Sequence, residues 1–76
     1  MSPRLPRLTG AELLRALERD GWRERRRRGS HVILAHPTKR GRPVVPLHAG
    51  QVVAVGTLRT ILDAAGLDGE ALRRLL

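Results

Sequence analysis

Seventy-six residues make a single small domain spanning positions 1–76, because a typical domain takes about 100–150 residues and few chains fold alone below about 40; two-domain enzymes and barrels of eight strand–helix units are excluded. Hydrophobic residues make up 41% of the chain, too many for a disordered segment, and the absence of cysteine excludes a disulfide framework or a thiolate metal site. Fifteen Lys and Arg against seven Asp and Glu give a net charge of +8, which points to a polyanionic partner, nucleic acid before an acidic protein.

Pro3 and Pro6 predict an extended, mobile leading segment. Thr9 and Glu12 then form a Thr-x-x-Glu capping box, with Leu8 placed to staple onto Leu13. Leu13, Leu14 and Leu17 make the apolar stripe of a first helix running to Asp20, and Gly21 stands at its stop position. Trp22 is read as a core residue. The following run, Arg23-Glu24-Arg25-Arg26-Arg27-Arg28, reads as a charged edge strand. Gly29-Ser30 is a turn, and His31 to His36 (HVILAH) is a strand by its β-branched content.

Pro37 to Gly41 forms a hairpin loop, and Arg42 to Leu47 a third strand. Pro43 and Pro46 lack ladder donors, which places that strand at an edge. After a connection from His48 to Gly56, Thr57 is the expected cap of a second helix, whose Leu58, Ile61, Leu62 and Ala65 fall on one face. Gly66 ends it, and Asp68 caps a short final helix. The expected fold is α+β, a two-layer α-β-β-β-α arrangement. A three-stranded antiparallel sheet carries two helices on one face, and its other face is free for a partner. No apolar run approaches the roughly 18 residues of a membrane span, and the N-terminus has no apolar leader core. The expectation is a cytoplasmic protein that makes no use of a membrane.

Acid–base chemistry near neutrality rests on His31, His36 and His48. No carboxylate lies close in sequence to any of them, and no His-x-x-x-His pair exists, so neither a metal site nor any other cofactor is expected. RNA carries its own nucleophile, the 2′-hydroxyl. Its cleavage needs a base, an acid and cations for the phosphorane charge. His31 directly follows Arg25 to Arg28 and Gly29-Ser30, so it is read either as such a catalyst or as an ordinary strand-opening residue. Gly29 lets backbone approach a phosphate, and Ser30 can donate a hydrogen bond. His36 reads as a strand-end residue. His48 faces the same sheet end as His31 in some registers. Arg25, Arg26, Arg27 and Arg28, with Lys39 and Arg42 in the hairpin, are the candidate phosphate contacts. With Trp22 assigned to the core, base stacking on aromatic residues is not expected.

Gly29-Ser30-His31, Val45-Pro46-Leu47-His48 and Gly56-Thr57-Leu58-Arg59-Thr60-Ile61-Leu62, in that order and at those separations, resemble the HicA toxin family of small mRNA interferases. The likeness runs from Leu8 to Leu67 and includes Leu8-Thr9-Gly10, Asp20-Gly21-Trp22 and Ala65-Gly66-Leu67. It implies a double-stranded-RNA-binding-domain-like fold and a toxin of a type II toxin–antitoxin system. It further implies metal-independent endoribonuclease action on mRNA, no cofactor or small-molecule ligand, and a HicB-like antitoxin that covers the active site. The family's catalytic histidine, the one in Gly-Ser-His, corresponds to His31. The alternative is a module of the same fold that holds double-stranded RNA without cutting. Two departures from the family pattern stand out: Gln51 to Val55 is apolar, and the first strand is unusually rich in arginine.

Overall fold

The computed structural model describes residues 4–76; Pro3 lies outside them. In chain order the elements are α1 (Gly10–Arg19), β1 (Arg23–Arg28), β2 (His31–Ala35), β3 (Val44–Pro46), α2 (Val55–Ala65) and α3 (Gly69–Arg74). The α+β class read from the sequence is the one observed. The sheet order is β1-β2-β3, and both pairings are antiparallel. β2 is therefore central, and the proline-bearing β3 and the arginine-rich β1 are the two edges. Among the described residues, no helix is long and apolar enough to cross a membrane.

Local chemistry sets the helix ends. Glu12 N–H donates to the Thr9 hydroxyl at 3.2 Å, while Thr9 N–H donates to the Glu12 carboxylate at 2.8 Å, so the capping box is formed in both directions. Leu8 and Leu13 are both buried, as a hydrophobic staple requires. α2 ends at Gly66 in the left-handed conformation, φ +69°, which glycine adopts without steric penalty. Asp68 accepts Ala71 N–H at 2.7 Å and starts α3.

The Glu12 carboxyl is held below its usual pKa, chiefly by the Thr9 backbone N–H, then by the Thr9 hydroxyl, with a smaller contribution from Arg15. A lowered folded-state pKa stabilises the fold above the group's ordinary value. That contribution disappears as pH falls through the lowered value. Glu12→Gln keeps the cap geometry and removes the titration. The drop in urea midpoint between neutrality and acid, below the ordinary carboxylate range, should therefore be smaller in this variant than in the parent. An equal drop would mean that the cap does not sense pH.

One core joins the layers. Val32, Leu34 and Val45 from one sheet face are buried with Leu13, Ala16 and Leu17 of α1 and Leu58, Ile61, Leu62 and Ala65 of α2. Leu72 of α3 and Trp22, wholly buried, complete it. Two glycines are required by close approach. A Cβ on Gly10 would overlap the Pro46 carbonyl, and one on Gly41 would overlap the Ala64 carbonyl. The first residue of α1 therefore rests directly on β3, and the loop after β2 rests on the end of α2.

Two expectations are corrected. The leading segment is anchored where it meets the helix, because Thr9 forms an antiparallel bridge with Val52 and Val53 N–H donates to Leu8 O at 2.7 Å. Thr57 is not the cap of α2. The N-cap is Ala54, which has no side-chain hydrogen bond to offer, and Thr57 lies within the first turn. The bridge at Val52 and the burial of Val53 fix the path of the chain, and the helix begins immediately afterwards. The apolar segment is split by this geometry. Val53 is buried, whereas Val52 and Val55 are 46% and 59% exposed.

Candidate active site

The turn Gly29-Ser30 joins β1 to β2 with a positive φ of 58° at its glycine only. This is the pattern of a two-residue hairpin turn with glycine at its first central position. A Cβ on Gly29 would meet no atom within 4 Å, so the tip is open to solvent. Beyond the turn, His31 is paired with Arg28 on one side and with Pro46 on the other. Cross-strand partners share a sheet face, so Arg28, His31 and Pro46 lie in a row. Arg26 and Val44 flank Ile33 in the next row. This is the face opposite the one that carries Val32, Leu34 and Val45, since successive side chains alternate. His31 is exposed on it.

The ladder continues past β3. Leu47 N–H donates to Ser30 O at 2.7 Å, which draws the following residue to the turn. His48 Nε2 lies 3.5 Å from Ser30 Oγ, at the outer limit of hydrogen bonding. Register thus gathers Ser30, His31 and His48 at one end of the sheet. Gln51 N–H then donates to His48 O at 2.9 Å, closing a turn with Gly50 at φ +73°. A cavity of about 210 Å³ lies beside His48, lined also by Pro46, Gln51, Thr57 and residues 52–54.

The cations divide by what they already touch. Arg27 is held by Glu24 at 2.8 Å, which keeps its guanidinium more firmly protonated than usual. A bulge at Arg25 turns the edge strand and brings Glu24 and Arg27 to the same side. Arg25, Arg26 and Arg28 are exposed, and among the described residues their side chains make no hydrogen bond or ion pair.

Lys39 and Arg42 belong to the loop at the far end of β2, about 13 Å along the strand from His31 at about 3.3 Å per residue. Lys39 Nζ donates to Asp20 at 2.7 Å and to Ala65 O at 3.1 Å, and stands over the Trp22 ring at 6.0 Å. Arg42 donates to the carbonyls of Arg40 and Gly41. Neither residue is brought to the histidine end.

His36 is fixed in the fold. Its Nδ1 accepts the N–H groups of Thr38 and Lys39 at 3.1 and 3.2 Å, so Nε2 carries the hydrogen that it donates to Asp20 O at 2.7 Å. Its ring meets Trp22 edge-on at 5.0 Å. The strand-end reading of His36 understated this lock, for which its position before Pro37 was the only sequence signal. Among the described residues, no group of three His, Cys, Asp or Glu side chains could hold a metal. A larger hollow of about 420 Å³ lies against α3. Its lining mixes Asp63, Asp68 and Glu70 with Arg59 and Arg73, and so offers a polyanion no net positive charge.

What the sheet end offers is two imidazoles and a serine hydroxyl, next to arginines that have no side-chain partner among the described residues. That combination suits proton transfer at a phosphate ester. No curated protein matches the chain. A family model described as HicA toxin of bacterial toxin-antitoxin matches residues 10–67, a span that holds the capping helix, the whole sheet and α2. The chain belongs to the HicA toxin family: it is the toxin of a toxin–antitoxin pair, with a cognate antitoxin as its partner.

Proposed function

We propose that the chain is an endoribonuclease that cleaves mRNA at the Gly-Ser-His end of its sheet. The observation that carries this reading is the register that sets exposed His31 between Arg28 and Pro46 and brings His48 to within 3.5 Å of Ser30. His31 takes the proton of the 2′-hydroxyl, whose oxygen attacks the adjacent phosphorus. The bond from phosphorus to the 5′-oxygen breaks, and His48 delivers a proton to that leaving oxygen. The products are a 2′,3′-cyclic phosphate and a 5′-hydroxyl. Arg28 and Arg26, in line with His31 on the open face, hold the phosphate and its developing charge, with Arg25 at the bulge beside them. Ser30 steers the His48 ring, and Gly29 leaves room for the backbone of the RNA. The cognate antitoxin is a HicB-like protein seated over this face, where β3 also exposes Val44.

Incubation of the purified chain with a long, mostly single-stranded RNA in the presence of a chelator tests the reading. Cutting that yields cyclic phosphate ends supports it. Binding without cutting would instead favour a non-catalytic RNA-binding module.

The arginines have their own signature. Each phosphate contact contributes a slope of about −0.7 to the dependence of log affinity on log salt for single strands. Arg26→Gln with Arg28→Gln should therefore flatten the slope by about 1.4, measured by fluorescence anisotropy between about 50 and 200 mM salt. Lys39→Gln should leave the slope unchanged, because Asp20 already holds that ammonium. A flattening by Lys39→Gln equal to that of an arginine variant would move the RNA path to the other end of the sheet.

A further inference from the structure

The cavity beside His48 has a composition that phosphate contact does not explain. We propose that it is a base-recognition pocket, which takes one nucleobase of the RNA strand next to the cleaved phosphate and reads its edge through Gln51. This rests on the endoribonuclease reading above and adds a determinant of where the strand is cut. The walls are Pro46 and the segment Val52 to Ala54, while Gln51, Thr57 and His48 supply the polar groups. Apart from His48, at the edge toward the cleaved phosphate, none of the lining residues carries a charge, so the body of the pocket suits a neutral occupant with apolar faces and a polar edge. A nucleobase has that chemistry; a phosphate does not.

Size agrees. At about 210 Å³ the cavity is smaller than the roughly 300–1,000 Å³ of sites for drug-sized ligands, and it suits a single ring system. Gln51 carries a donor and an acceptor side by side, the arrangement that matches a base edge. Among the described residues, neither the Gln51 amide nor the Thr57 hydroxyl makes a side-chain hydrogen bond, so both remain free for a ligand. The Gln51 backbone is pinned, because its N–H donates to His48 O across the Gly50 turn. The backbones that carry the reading group and the proton donor are therefore tied to each other. Trp22 is wholly buried and offers no stacking surface, so this pocket takes the place of an aromatic platform in holding a base.

The experiment has two readouts. The first is the distribution of cut sites along a long RNA, mapped by sequencing the 5′ ends, for the parent chain, Gln51→Ala and the pocket-filling Ala54→Leu. The second is the affinity of His31→Ala protein, with and without Gln51→Ala, for tetraribonucleotides that differ in one base or lack it. Gln51 is exposed, so its variant should fold, and circular dichroism checks this. The expected result is a preference for certain bases at the cut in the parent, lost in Gln51→Ala and shifted in Ala54→Leu. In the binding arm, the abasic tetranucleotide should bind about tenfold more weakly, the scale of one good base contact, and Gln51→Ala should abolish the discrimination among bases. Cutting with an unchanged site distribution in both variants would overturn the pocket and leave the nuclease standing. Gln51-dependent base preference without any cutting would do the reverse. Tetranucleotides that bind equally with and without the base, or do not bind at all, overturn the pocket.

Discussion

Replacing His31 with alanine should lower the rate of RNA cleavage by about 10²–10⁴-fold, the range set by loss of a positioned general acid or base. RNA affinity should change little, because the proposed mechanism assigns the phosphates to Arg26 and Arg28. The urea midpoint should not move either, since an exposed residue at the start of a strand lies in the class of surface changes worth within about 0.5 kcal/mol. His48→Ala should lower the rate on a similar scale, because a 5′-alkoxide is a poor leaving group that needs a proton from a positioned acid. Ser30→Ala should cost least, as it removes only a contact at 3.5 Å. Groups that act in one step are not additive. The double variant His31→Ala with His48→Ala should therefore be scarcely slower than His31→Ala alone. The measurement is single-turnover cleavage of a labelled RNA, run beside anisotropy and urea unfolding on the same preparations. If His31→Ala protein cuts at the parental rate, the Gly-Ser-His turn is only a hairpin and the assignment fails. If cutting and affinity fall together, the histidine is holding RNA rather than moving a proton.

Which parts of this picture the sequence discloses follows from how local each signal is. The Thr9–Glu12 box and the Gly66 stop depend on residues within a turn of one another, and both form as their spacing predicts. The stripe Leu58, Ile61, Leu62 and Ala65 is periodic within one helix and is buried throughout. Failures occur where a distant segment decides. Threonine is a better helix cap than alanine, yet α2 begins at Val55, because Val52 is bridged to Thr9 across the fold. Lys39 resembles any other cation of a basic hairpin until Asp20, nineteen positions earlier, is brought against it. The same applies to the candidate site. Gly29, Ser30, His31 and the arginines are contiguous, so their cluster is visible in one line of sequence. The approach of His48 to Ser30 depends on the β2–β3 register, and a shift of one residue would turn its side chain to the other face. The split of the apolar segment into buried Val53 and exposed Val52 and Val55 is likewise a consequence of pairing with the residues before α1.

Trp22→Ala should remove about half or more of the stability of this chain, on the mid-range figures. Truncating a buried tryptophan costs about 3–5 kcal/mol through lost transfer energy and the cavity left behind. A chain of 76 residues at about 0.05–0.15 kcal/mol per residue has only about 4–11 kcal/mol to lose. The ring is the largest fully buried side chain, and it also orders its surroundings. Its Nε1 donates to Asp20 at 3.1 Å, and His36 and Lys39 stand against it. Asp20 therefore ties the end of α1 to the loop after β2 through Trp22, Lys39 and the backbone contact with His36. Trp22→Phe separates the two contributions. It keeps an aromatic ring in the core, but removes the indole N–H together with part of the ring volume. The carboxylate is not stranded, because Lys39 still holds it at 2.7 Å. The expected cost is about 1–3 kcal/mol, that of one hydrogen bond and of the small cavity left by the missing ring atoms, and so less than that of Trp22→Ala. Far-UV circular dichroism in urea reads both variants, since the only tryptophan is the one removed. RNA affinity of Trp22→Phe should match the parent, because no part of the ring reaches solvent. A Trp22→Ala protein that unfolds at the parental midpoint but binds RNA poorly would reverse the assignment: the ring would then be a stacking surface, and the clamp at the far end of the sheet would hold through Asp20, His36 and Lys39 without it.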